Sequence, residues 1–170
     1  MNEARTDVTL IGIERVQIEA FLDDNRDEVA ALLDGLTDEQ ARRRLVPSQT
    51  TLAGIVKHCT FVERVWFQVS LEGKSREELG LPEDADDTWL LDDTDTIPLL
   101  VAAFREACAD SRRVAAAYAL DDLAFHNRRG PLTLRWIYCH MIEELARHAG
   151  HGDILREQLL AGTSDRSDVQ

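Results

Sequence analysis

Apolar residues recur three and four positions apart over long stretches of this chain, and no stretch alternates apolar with polar residues as a half-buried strand would. The pattern predicts four main helices. The first covers about residues 11–33, with Phe21 or Leu22, Val29, Leu32 and Leu33 on a broad apolar face and acids and Arg26 opposite. Gly35 ends it. Thr37-Asp38-Glu39-Gln40 fits a capping box and opens a short helix ending near Leu45, before Pro47. The second main helix starts at Thr50 or Thr51 and carries the stripe Leu52, Ile55, Cys59, Val62, Trp66, Val69 up to Gly73. The third opens at Thr96 with Pro98 in its first turn, turns Leu100, Phe104, Cys108 and Val114 inward, and ends near Leu120. After a connection over 121–130, Pro131 starts the fourth, which runs to about Leu160 and stops at Gly162.

Between the second and third helices, residues 80–96 crowd acids around Trp89, Leu90 and Leu91. A calcium loop of the D-x-[DN]-x-[DN]-G type needs a glycine that this stretch lacks, so it reads as a solvated connection pinned by Trp89. Four long helices with one long connection between helices 2 and 3 predict an all-α four-helix bundle. The whole of 1–162 reads as a single domain and 163–170 as a polar C-terminal tail.

The chemistry concentrates on the fourth helix. At about 100° per residue, His140, Glu144, His148 and His151 leave one side of it within about 80° of one another, flanked by Ile137, Met141 and Leu145. A carboxylate at a core edge is costly unless it is paired or bound to a metal. His140 and His151 are about 16 Å apart along the axis, so one ion takes only a pair a turn apart: His140/Glu144, Glu144/His148 or His148/His151. A further ligand must come from another helix. His58, beside Ile55 and Val62 at the edge of the second stripe, is the candidate, whereas His126 in the connection reads as solvent-exposed. Two His and one Glu form a catalytic type of zinc site with a position left open. Core packing and surface ion pairs are the bland alternatives for these residues. Arg64, Arg135, Arg147 and Arg156 are candidates for gripping a polar cofactor, with helix-surface ion pairs as their commoner role.

Composition narrows the partners. The net charge of −13 argues against nucleic acid, and no apolar run approaches the about 20 residues that span a membrane. Residues 1–7 are polar and carry acid, unlike a secretory leader. Cys59, Cys108 and Cys139 are odd in number, widely spaced and in apolar surroundings, which reads as reduced core cysteines in a cytoplasmic protein.

Several segments together resemble the DinB/YfiT-like superfamily. They are Val46-Pro47-Ser48 through Thr51-Leu52, Val56-Lys57-His58, Val62-Glu63-Arg64-Val65-Trp66-Phe67, Leu134-Arg135-Trp136, and the run from Glu143 to Glu157 with its R-H-A-G-H-x-D-I-L-R-E string. Within that superfamily they are most similar to the actinobacterial branch of mycothiol-dependent enzymes. The resemblance implies a four-helix bundle holding a divalent metal, zinc or nickel, by a His of the second helix, matched by His58, and by two residues a turn apart on the last helix. In the mycothiol branch the first of that pair is Glu, so Glu144 and His148 fill the places. His140 and His151 become neighbours that orient a ligand or touch substrate.

The function so implied is that of a metal-dependent thiol S-transferase, with mycothiol or a similar low-molecular-weight thiol activated as thiolate for attack on an electrophile. Its partners would be that thiol and the electrophile, with no nucleic acid and no membrane, and a homodimer is compatible with such bundles. The alternatives are a non-catalytic metal-binding stress-response or interaction protein of the same fold, a plain helical interaction domain without metal, and a thiol-independent metal hydrolase.

Overall fold

The computed structural model describes residues 4–164, with side chains to 161, so the tail expected over 163–170 falls almost wholly outside the described residues. Five α-helices are present: α1 (Glu14–Ala31), α2 (Asp38–Ala41), α3 (Leu52–Glu63), α4 (Ile97–Ala115) and α5 (Leu134–Ser164). The long ones, α1, α3, α4 and α5, make the bundle. A 3₁₀ turn, Arg5–Val8, is tied to α1 where Arg5 and Thr6 bond Asp24. No described helix is long and apolar enough to cross a membrane.

Helix starts follow side-chain chemistry. Thr37 and Gln40 complete the capping box, although α2 stops at Ala41 and does not reach Leu45. Of the two candidate caps for α3, Thr51 is the one used, its hydroxyl accepting from the Gly54 N–H. Gly35 and Gly73 take left-handed φ of 72° and 88° just past helix ends, a conformation other residues reach only with strain.

The core forms where the four long helices face one another. Leu22 and Val29 of α1, with Leu33 just beyond its end, meet Ile55 and Cys59 of α3, Phe104 and Val114 of α4, and Ile137, Met141 and Leu145 of α5, all buried. At this level the apolar stripes mark the core.

The structure departs from the stripes in five places. Beyond Glu63 the α3 chain continues as a π-helical segment, Arg64–Leu71. In this wider i→i+5 turn, residues four apart nearly superpose. Within the segment Phe67, Gln68, Ser70 and Leu71 are the buried ones, Phe67 and Leu71 continuing the line of Cys59 and Glu63, and Trp66 and Val69, expected inward at helical spacing, are half-buried and face a cleft. Arg26 does not lie on the wet face of α1 but is buried against Glu63. The connection before α5 holds a small antiparallel pair, β1 (Leu123–Ala124) with β2 (Leu132–Thr133), too short to show an alternating pattern. α4 ends at Ala115 and not near Leu120, and α5 starts at Leu134 and runs through Gly162 to Ser164. Finally, Cys59 and Cys108 are core residues but Cys139 is exposed.

Candidate metal centre

Two distant segments converge on one point. His58 comes from the middle of α3, and Glu144 and His148 sit one turn apart on α5. One ligand atom from each lies within 4.8 Å of the others. Glu144 Oε1 is 3.1 Å from His148 Nε2 and 3.6 Å from His58 Nε2. Donors at the corners of a tetrahedron with bonds of about 2.0–2.1 Å would be roughly 3.3 Å apart. The two distances to Glu144 bracket that value, so the three atoms are close enough together to hold one ion.

Hydrogen bonding sets how the ligands are presented. His58 Nδ1 is 2.7 Å from Thr88 Oγ1, and the Thr88 hydroxyl donates its proton to the Ala85 carbonyl at 2.5 Å. Thr88 must then accept, so Nδ1 carries the proton and Nε2 turns a bare lone pair toward Glu144. A lone pair aimed at a carboxylate oxygen calls for a cation between them. This is the support a metal-binding imidazole uses. Trp89 stacks on the His58 ring at 4.2 Å and 16°, closing that side. The acidic connection thus delivers both supports, from a 3₁₀ turn, Ala85–Trp89, that Asp84 caps. Nothing in the sequence marked Thr88.

Arg147 holds the outer oxygen of Glu144 at 3.2 Å, and so turns Oε1 inward. Interaction with the His148 and then the His58 ring outweighs burial and keeps the Glu144 carboxyl well below the usual carboxylate range. The anion a metal ligand requires is therefore in place. His148 Nδ1 is buried without a hydrogen-bond partner among the described residues.

The other candidates separate by position. His140 is half-buried, stacked on Trp136 at 5.0 Å and edge-on to Trp66 at 4.8 Å, and burial lowers its pKa. His151 is exposed, its ring 5.9 Å from that of His148. His126 is exposed as expected, but at the mouth of the cleft. Cys59 is buried in the core and is not part of the cluster, and burial pushes its thiol well above the ordinary value. Of the four candidate arginines, Arg64 pairs with Glu106, Arg135 with Glu14 and Asp121, and Arg156 holds the carbonyls of Leu32 and Asp34 at the end of α1. Only Arg147 reaches the cleft.

That cleft has a volume of about 1020 Å³, with His58 and Glu144 in its wall and Trp66 and His140 farther along. It is large enough for a drug-sized molecule.

A helical bundle with a His/Glu/His cluster opening on such a cleft belongs to the DinB-like class of folds. A solved structure of a DinB-like protein from Bacillus cereus ATCC 10987 is similar to it, with 18% identity, a TM-score of 0.56, and coverage of 83% of this chain and 91% of that one. The family model for mycothiol-S-transferases matches residues 17–161, and the chain belongs to that family. No curated protein matches the chain.

Proposed function

We propose that this protein is a metal-dependent S-transferase that joins a low-molecular-weight thiol, mycothiol by its family, to an electrophile. His58, Glu144 and His148 hold the cation, and zinc suits the donor set, with nickel second. A divalent cation at this point supplies Lewis acidity, so that a thiol binding there is present as thiolate at neutral pH. The chain's own residues prepare the place. Thr88 fixes the His58 tautomer, Trp89 shields the ring, and Arg147 turns the carboxylate. In the transfer, the thiol sulfur forms a bond to carbon, and the leaving group departs with the electron pair of the bond that breaks.

The observation that carries the reading is the convergence of the two imidazole Nε2 atoms on Glu144 Oε1 at the wall of the cleft. The buried, unreactive thiols of Cys59 and Cys108 agree with a nucleophile supplied from outside. In this reading residues 1–162 act as one domain in the cytoplasm.

Metal analysis of the untagged protein beside His58→Ala and His148→Ala tests the site. Stoichiometric metal is expected in the parent and little in either variant. Full metal content in both variants would remove the site. Thiol consumption is then followed across a panel of electrophiles. A metal-loaded parent that consumes no thiol would leave a non-catalytic metal-binding protein of this fold.

A further inference from the structure

The cleft does not end at the metal ligands. Glu144 and His140 are four apart on α5 and both line the cleft, so it runs a turn away from the cluster. Trp136 and His140 stack at 19°, and Trp66, brought to the cleft by the π-helical segment, closes on both rings at 5.4 and 4.8 Å. Trp66 and His140 thus make an aromatic wall of the cleft, and Trp136 supports it by stacking on His140. At its far end the Arg129 guanidinium lies over the Trp136 ring, 5.5 Å from its centre. Arg128 lines the same end of the cleft. Neither arginine forms an ion pair among the described residues, in a chain with a net charge of −13. By contrast the arginines at the helix surfaces are mostly bound to acids or carbonyls. Two cations left free at the mouth of a cleft, in so acidic a molecule, are placed to attract an anion.

We infer that the cleft takes an aromatic co-substrate bearing a carboxylate, its ring against Trp66 and His140 and its carboxylate on Arg128 and Arg129. The inference rests on the proposed transfer chemistry and names the class of electrophile. Glu144 and Trp136 are eight residues apart, about 12 Å along the helix. A substituted ring lies between the guanidinium end and the cluster, with its reactive carbon directed at the cluster and its acid group at the arginines. Planar stacking and a charge-assisted bond to guanidinium are complementary to such a molecule.

The test uses the metal-loaded full chain. Benzoate and benzamide are titrated while tryptophan fluorescence is followed, since Trp66 lines the subsite and Trp136 packs against it. Benzoate should bind about tenfold or more tightly than benzamide, and the difference should vanish in the double variant Arg128→Gln/Arg129→Gln. Both substitutions are at exposed positions, and an unchanged far-UV circular dichroism spectrum confirms folding. In the kinetic arm, 4-chloro-3-nitrobenzoate is compared with its amide. The thiol sulfur replaces chloride on the ring, chloride leaves with the electron pair of the C–Cl bond, and the thiol proton goes to solvent. The ratio of kcat/KM for acid over amide should fall about tenfold in the double variant.

A benzoate preference that survives the double substitution puts the carboxylate on the metal and overturns the inference. So does the absence of any saturable response to benzoate. If the affinity for the thiol falls in the variant while that for benzoate does not, the anion belongs to the cofactor and the inference is equally lost. Benzoate binding needs neither thiol nor turnover, so it decides this point even if the transfer reaction is not found.

Discussion

Arg26 of α1 and Glu63 at the end of α3 face each other inside the core. Two parallel hydrogen bonds of 2.8 and 2.7 Å join guanidinium to carboxylate, with the side chains 4% and 0% exposed. Asp23 takes the remaining edge of the guanidinium at 2.8 Å. The pair sits where α3 gives way to the π-helical segment, and ties α1 to that junction.

Removing one partner should leave an uncompensated buried charge. Arg26→Met is expected to lose about 3–5 kcal/mol of stability, and the double variant Arg26→Met/Glu63→Met to recover most of it. Urea unfolding of the three proteins measures both. An equal loss in single and double variants would mean that the pair's shape, and not its charge, holds the junction.

The same region gives a pH dependence. Burial raises the Asp23 carboxyl, but hydrogen bonds from Arg112 and Arg26 outweigh it and hold the pKa below the ordinary 3.8. A carboxyl depressed on folding contributes stability above its ordinary value and loses it as pH falls through the folded one. Asp23→Asn should therefore cost about 1 kcal/mol at neutral pH, with the gap from the parent closing below about pH 4. Denaturant titrations of both proteins across that range show whether the gap closes.

Thr88 contributes to metal affinity without touching the metal. Thr88→Val keeps the shape but removes the acceptor for His58 Nδ1–H. Affinity should fall about 10–100-fold by competition with a fluorescent chelator, and Thr88→Ser should restore it. Valine and serine variants of equal affinity would leave the hydroxyl no part in orienting His58.

Two glycines of α5 should respond in opposite senses. A Cβ on Gly152 would come within 2.4 Å of Leu32 Cδ1, where α1 crosses closely and Leu32 is itself buried. A Cβ on Gly150 would meet nothing within 4 Å. Gly152→Ala should cost about 1–3 kcal/mol, and Gly150→Ala should gain about 0.5–1 kcal/mol from helix propensity. Melting temperatures shifting in the same direction for both would contradict the packing seen between α1 and α5.

Residue types and their periods made the bundle legible before any coordinates. Leu22, Val29, Ile55, Phe104, Ile137 and Met141 were readable as core because an α-helix repeats its face every three or four residues. The capping box at Thr37 and the one-turn spacing of Glu144 and His148 are likewise local, spanning four or five residues of one helix. His58 could be nominated because it borders an apolar stripe, and the family likeness chose its partners.

What sequence could not supply were relations set by neighbours far along the chain. The π-helical segment changed which residues of 64–71 face inward, and so moved Trp66 from core to cleft wall. Arg26 had the sequence of a surface arginine, and only Glu63, thirty-seven residues away, made it a core residue. Trp89 was readable as the pin of the acidic connection, but Thr88 looked like part of a solvated loop, and only the fold laid both on His58. Periodicity is a property of one helix at a time and fixes which face turns inward. Which side chains then meet, at what distance and in what protonation state, depends on how separate helices are set against each other, and that is decided by packing in three dimensions.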